Sequence, residues 1–344
     1  MRYLITGTTG LVGSYCARLL VEKGFRPLGL RRADSDMSLV ADIAHQIDWA
    51  EGDLHDIVFL ESLFEAGIDY VIHAAAMVSF APKRQKQMLK TNIEGTRHLL
   101  HVALAYPPKK FCFISSVAAL GYTPLAGEKR AILQVDEKQT WDNGVYHTSY
   151  ATSKHFAERE VWRAAAEGLS VVIVNPSFVL GVGDWEKSSS SIFKYVYEQK
   201  RFYPEGYANC VDVRDVARAV AFLLESSIEG ERFILNGAHL PYSELLSALS
   251  LGFGKRAPSR ALTPLLGSLA WRFEAVRSFF TGQEPRITAD LVRNTRKMHA
   301  YSSKKIEKLG FSFTPFPETL RWAIEGYQKK YNLPENNTAA LQPQ

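Results

Sequence analysis

Ser116, Tyr150 and Lys154 carry the side chains in this sequence best suited to moving a proton. Tyr150 and Lys154 lie four residues apart, so on a helix they share one face. A phenol with a pKa of about 10 neither gives nor takes a proton readily at neutrality, and an adjacent ammonium favours its phenolate. The pair could therefore serve as a general acid or base, with the Ser116 hydroxyl bonding the oxygen of a reacting molecule and steadying charge that develops there. Tyrosine and lysine at this spacing also arise by chance, as a surface ring beside a solvated cation. A second motif supplies context. Gly7, Gly10 and Gly13 follow a short apolar run and precede Leu11, Val12, Tyr15, Cys16, Leu19 and Leu20 at helical spacing. Such glycines let a backbone turn tightly, approach a pyrophosphate and pack helix on strand, while the helix N-terminus offers free N–H groups. The spacing is G-x-x-G-x-x-G, which departs from the commonest dinucleotide fingerprint, and a turn without a ligand is the alternative.

These residues need a frame. The sequence predicts strands at 25–30, 46–51, 69–76, 111–116, 170–175 and 232–236, alternating with helices around 60–64 and over 85–105, 149–167 and 213–225. Apolar strands alternating with helices imply a parallel sheet covered on both faces, with ligands beyond the carboxyl ends of its strands. Ser116 falls at such an end, and Tyr150 and Lys154 fall on the first turns of a helix. From 178 to 210, and again from 238, the strand rhythm is lost. The expected organisation is a doubly wound α/β unit over 1–177 and 211–237, a smaller, mostly helical lobe over 178–210 and 238–332, and a loose tail over 333–344. Within the lobe, Leu262, Leu265, Leu266, Leu269, Phe273, Val276 and Phe280 form one apolar stripe over 262–282, expected to pack inside the lobe or on a partner subunit rather than on a membrane surface.

Composition narrows the class. The chain has 344 residues, 46% hydrophobic and 22% charged, which are globular proportions. Its 41 basic and 36 acidic residues leave +5, too mild and too scattered to argue for nucleic acid. Cys16, Cys112 and Cys210 lack Cys-x-x-Cys spacing and sit in apolar or mixed runs, so buried reduced thiols and a cytoplasmic setting are expected, with no metal site. Neither a secretory leader nor a membrane span is visible.

Taken together, the motifs resemble the extended branch of the short-chain dehydrogenase/reductase superfamily, the NAD-dependent epimerase/dehydratase family. Thr6, Gly7, Thr9, Gly10, Leu11, Val12 and Gly13 resemble its cofactor turn, and Asp53-Leu54 its adenine-contacting turn. Ala74, Ala75 and Ala76 resemble the strand end under the cofactor, and Asn92 matches a family asparagine that is more often structural than catalytic. Ser116 matches the catalytic serine and Tyr150 with Lys154 the tyrosine–lysine pair, the lysine also holding the nicotinamide ribose; Asn175, Pro176 and Ser177 are a further landmark near the cofactor. The resemblance thus implies a Rossmann-type fold and a nicotinamide dinucleotide.

Departures within the family point to a reaction. The Asp-Glu pair of nucleotide-sugar dehydratases is absent, because Val117 and Ala118 follow Ser116. Arg31 and Arg32 stand where an acid would select NAD, which favours NADP(H), although Asp34 and Asp36 lie just beyond. The nearest likeness is to dihydroflavonol-reductase-like and 3β-hydroxysteroid-dehydrogenase-like groups. This implies a hydride exchanged with a carbonyl or alcohol on a hydrophobic or aromatic small molecule, with Val78, Phe80, Phe178, Trp185, Phe193, Tyr203 and Tyr207 near it. The alternatives are an epimerase with retained cofactor and a non-catalytic NADP sensor. A homodimer is compatible with the sequence.

Overall fold

A computed structural model describes residues 1–79, 82–121, 132–263, 266–268, 271–272 and 299–334. Along the chain come β1 (Tyr3–Thr6), α1 (Leu11–Glu22), β2 (Leu28–Arg31), β3 (Asp48–Glu51), α2 (Ile57–Glu65), β4 (Tyr70–His73), α3 (Gln85–Ala105) and β5 (Lys110–Ile114). After β6 (Leu133–Val135) follow α4 (Ser149–Ala166), β7 (Val171–Pro176), β8 (Phe178–Leu180), α5 (Ser191–Tyr197), β9 (Phe202–Pro204), β10 (Tyr207–Asp212), α6 (Val213–Glu225) and β11 (Glu231–Leu235). Then come β12 (Ala238–Pro241), α7 (Tyr242–Gly252), β13 (Arg260–Leu262), β14 (His299–Tyr301) and the C-terminal helix Phe316–Lys330.

Seven strands form one parallel sheet in the order β11-β7-β5-β4-β1-β2-β3. Alternation along each strand explains why helices cover both faces. Tyr3 and Ile5, with Cys112 and Ile114, pack against Cys16 and Leu20 of α1 and Val216 and Val220 of α6. Leu4, Phe111 and Phe113 point the other way, to Leu60 of α2, Leu99 of α3 and Val161 of α4. The chain runs outward from β1 through β2 to β3, then returns to place β4 on the other side of β1. That reversal opens a crevice beyond Thr6 and His73, the last residues of β1 and β4. A third cluster is aromatic-rich and joins α5, α7, β8, β10 and the C-terminal helix through Phe193, Leu245, Leu249, Phe253 and Tyr327.

Most expected elements are present, with shifted ends. The strand expected at 69–76 stops at His73, because Ala74 and Ala75 cross over the glycine turn, so close that a Cβ on Gly7 would lie 2.6 Å from the Ala75 nitrogen. The strand expected at 25–30 begins only at Leu28, after Pro27, and continues to Arg31. Where the sequence shows no strand rhythm, the fold has short strands: β8, β10 and β12 form a three-stranded sheet, and β9 pairs with β13. Three- to six-residue strands are too short to display a period-two pattern. Most of the 262–282 stripe, including Leu265, Leu269, Phe273, Val276 and Phe280, lies outside the described residues, as do Phe80 and 335–344 of the expected tail. No described helix is long and apolar enough to cross a membrane. Among the described residues no group of three or more His, Cys, Asp and Glu could hold a metal ion.

Candidate active site

The turn from β1 into α1 is shaped by two glycines. Gly7 has φ of +70°, a region that side chains rarely tolerate, and a Cβ on Gly13 would lie 2.1 Å from the Gly7 carbonyl oxygen. Gly10 caps α1 without a side chain, its N–H donating to Gly7 O at 2.9 Å, and the first turn carries no acid. Leu11 and Val12 open the helix behind it, and Thr9 is half-buried at the turn. The result is a helix N-terminus with free N–H groups and a concave backbone surface that any Cβ would fill. This is a fit for a pyrophosphate.

Beneath the turn runs a buried polar chain. Thr96 donates its hydroxyl proton to Asn92 O at 2.7 Å, so it can only accept from His73 Nε2 at 2.9 Å. His73 Nδ1 then accepts from Thr6 Oγ1 at 2.6 Å, and Thr6 Oγ1 accepts from Ala75 N–H at 3.2 Å. Burial, with the Lys154 charge as a lesser cause, pushes His73 down to about 3, so it stays neutral. The Asn92 side chain accepts from Met77 N–H at 2.7 Å and donates to Met77 O and Ser153 Oγ, each at 3.0 Å. Its amide thus fastens the segment after Ala76 to α3 and α4, a holding role rather than a direct contact in the crevice.

At the end of β2, Arg31 pairs with Glu51 at 2.8 Å, while its Nε is buried with no partner among the described residues. Arg32 pairs with Asp34 at 3.3 Å. Asp36 accepts from Ser38 N–H at 3.0 Å and meets Lys187 at 3.3 Å, contacts that hold its carboxyl below the usual range, the Ser38 backbone first. Both acids beyond the strand are therefore engaged with cations. Asp53 caps its own turn by accepting from His55 N–H at 2.9 Å, and Leu54 packs against Gly95.

The structure brings Ser116, Tyr150 and Lys154 together beyond β5. Thr148 caps α4 by accepting from Ala151 N–H at 3.1 Å, which sets Tyr150 in the first turn. The Tyr150 phenol lies beside the Ser116 side chain, whose Oγ accepts from Ala118 N–H at 3.2 Å. Lys154, 3% exposed, donates to Ile114 O at 2.7 Å and sits 4.6 Å from the centre of the Phe113 ring. Burial lowers Lys154 to about 8, against the opposing charge of Glu158. Tyr150 keeps part of its ring accessible, yet packing around it raises its pKa, with the neighbouring Ser116 hydroxyl acting in the opposite sense. Without a bound dinucleotide the Lys154 nitrogen is turned to Ile114 O, and burial sets the direction of the phenol's shift.

Asn175, fully buried, donates from Nδ2 to Ser116 O at 3.0 Å and to Glu158 Oε2 at 2.9 Å. Its Oδ1 and the Ser177 hydroxyl, on either side of Pro176, are buried without partners among the described residues. These orphaned groups at a sheet end, like Arg31 Nε, are further places a dinucleotide would satisfy.

The expected pocket residues divide. Val78 is 41% exposed, while Phe178, Tyr203 and Tyr207 are half-buried, Tyr207 stacked 4.8 Å from His239. Phe193 is instead core: fully buried, 4.4 Å from Tyr327, because α5 turns its apolar side to the C-terminal helix. Trp185 stacks on Tyr331 at 4.0 Å and belongs to the same cluster. Sequence reasoning missed Trp141, which lies between His147 and His155 at 3.6 and 4.0 Å, and Glu158. Glu158 had a signal, its place four residues beyond Lys154.

A model of the NAD dependent epimerase/dehydratase family matches residues 3–235. The chain belongs to this family. It is an enzyme of the oxidoreductase class that works with a nicotinamide dinucleotide. It is 29% identical over 334 residues to a protein assigned as a dihydroflavonol 4-reductase in Synechocystis sp., covering 95% of this chain and 94% of that one. It is 26% identical over 343 residues to cinnamoyl-CoA reductase 1 of Oryza sativa subsp. japonica, covering 96% and 91%. Among solved structures it is similar to that of gox2253, at 31% identity and a TM-score of 0.79, covering 96% and 99%. The UDP-glucose 4-epimerase of Thermotoga maritima shares the fold, at 20% identity and a TM-score of 0.75, covering 96% and 100%.

Proposed function

We propose that this family member is an NADP-dependent reductase of a carbonyl group on a hydrophobic or aromatic small molecule. The observation that carries the reading is the meeting of Ser116, the Tyr150 phenol and the buried Lys154 beyond the end of β5. When bound, the reduced nicotinamide supplies a hydride. Ser116 would orient the carbonyl by donating to its oxygen, and Tyr150 would give that oxygen its proton as negative charge develops there. Lys154, as an ammonium, would then favour the phenolate left behind. The backbone N–H groups of Leu11 to Gly13 would hold the pyrophosphate, Lys154 the ribose, and Arg31 with Arg32 the extra phosphate of NADP. Engagement of Asp34 with Arg32 and of Asp36 with Lys187 supports this preference, since neither acid is free to take a ribose hydroxyl. Relatives named for dihydroflavonol and cinnamoyl-CoA reduction support an aromatic substrate. Buried, unpaired Cys16, Cys112 and Cys210 support work in a reducing compartment such as the cytoplasm.

The test is incubation of the purified chain with NADPH or NADH and a panel of aromatic aldehydes, ketones and acyl thioesters, following nicotinamide absorbance. Net oxidation of NADPH in preference to NADH is expected. Interconversion of nucleotide sugars without net oxidation would replace the reading by an epimerase, and tight binding without turnover by a sensor.

A further inference from the structure

Glu158 lies one turn beyond Lys154 on α4 and is 3% exposed. Its Oε2 accepts from Ser115 Oγ at 2.5 Å and Asn175 Nδ2 at 2.9 Å, and its Oε1 from the Arg232 guanidinium at 3.1 Å and Trp162 Nε1 at 3.4 Å. Four donors converge on one carboxylate, an arrangement suited to a buried charge. The bonds also reach every element under the reacting groups. Ser115 precedes Ser116 at the end of β5, and Asn175 of β7 holds Ser116 O with the same nitrogen that meets Glu158. Arg232 of β11 additionally donates to Glu137 O at 2.6 Å and Gln139 O at 2.7 Å, in the segment leading to α4.

We propose that Glu158 is a positioning residue for this reaction: its carboxylate locks the Ser115–Ser116 turn, β7 and α4 into one unit and supplies the negative charge that keeps buried Lys154 an ammonium. The inference rests on the reading of Ser116, Tyr150 and Lys154 as the reacting set. The groups facing Lys154 are Tyr150 and Glu158 on its own helix, neutral His73 on β4, and the Ile114 carbonyl and Phe113 ring on β5. Arg232 stands beyond Glu158. Of these, Glu158 is the anion. Burial alone would drive the lysine proton off, and the Glu158 charge opposes it.

The experiment is Glu158→Gln in the full chain, which keeps volume and removes charge. With carbon-13 in the lysine ε position, the Lys154 resonance, assigned by its loss in Lys154→Met, is titrated by NMR without substrate. The midpoint is expected to fall by about one pH unit, ten-fold in proton affinity, and the alkaline limb of turnover to fall with it. A merely structural glutamate would lower melting temperature and turnover but leave midpoint and limb in place, and that result would overturn the proposal. Should Glu158→Gln not fold, Arg232→Gln decides, because removing the cation beyond Glu158 should raise the Lys154 midpoint; an unmoved or lowered midpoint overturns the proposal equally. The midpoint needs no turnover, so failure to find a carbonyl substrate would sink the reductase reading alone.

Discussion

At the scale of single residues, the arrangement separates a proton donor from the charge that supports it. Tyr150 is held neutral by its surroundings, so it is an acid in waiting rather than a phenolate. Tyr150→Phe keeps the ring and deletes the proton. Turnover should fall by about 10²-fold to 10⁴-fold, the usual worth of general acid catalysis, while dinucleotide affinity measured by nicotinamide fluorescence stays unchanged; near wild-type turnover would remove Tyr150 from the chemistry. Lys154 sets a pH dependence of definite sign. With a pKa of about 8, it is a cation below that pH and neutral above it. A neutral amine no longer favours the Tyr150 phenolate, so turnover at saturating substrate should decline as pH rises through the region of 8. A profile flat from neutral pH to well above 9 would show that the ammonium is not required.

At the scale of elements, the two ends of the dinucleotide are addressed by different structures. The α1 turn is built from backbone alone. In Gly13→Ala the new methyl group would sit 2.1 Å from Gly7 O, which belongs to the backbone and cannot move aside without opening the turn. Overpacking of this kind costs about 1 to 3 kcal/mol, and the dinucleotide should bind about ten-fold to a hundred-fold more weakly in calorimetry; unchanged affinity would mean that the turn does not hold it. The end of β2 is addressed by charge. A charge-assisted contact contributes about 1.5 to 3 kcal/mol, so replacing Arg31 and Arg32 by alanine should weaken NADPH at least ten-fold and leave NADH almost untouched. Equal loss of both cofactors would contradict the assignment.

At the scale of the molecule, the C-terminal helix Phe316–Lys330 clamps the aromatic cluster to the sheet. Tyr327, fully buried, donates to Gly181 O and accepts from Gly183 N–H, each at 3.0 Å, and both glycines lie against Leu11 at the start of α1. The helix that closes the chain thereby braces the turn that opens it. Tyr327→Phe keeps the ring and strands a buried carbonyl and a buried N–H, so unfolding by urea should show a loss of about 1 to 3 kcal/mol. A loss confined to a few tenths would mean that water replaces the hydroxyl.

How much of this was legible in the chain depends on the range of the interaction responsible. The glycine turn, the Tyr150–Lys154 spacing, α3 and α6 follow from local periodicity and backbone freedom, which a sequence displays directly. The strand alternation likewise determined the parallel sheet and placed Ser116 at a strand end. The short strands β8, β9 and β10 were not legible, since their pairing is set by partners distant in sequence. For the same reason Phe193 looked like a pocket aromatic until the C-terminal helix was laid over it. Protonation depended still more on tertiary structure. Spacing alone put Lys154 beside Tyr150, but burial, the Ile114 carbonyl and Glu158 decide which way the ammonium turns and how tightly it keeps its proton. Sequence determined the residue types and their local geometry; desolvation and long-range partners, which exist only in the folded chain, decided their charge states.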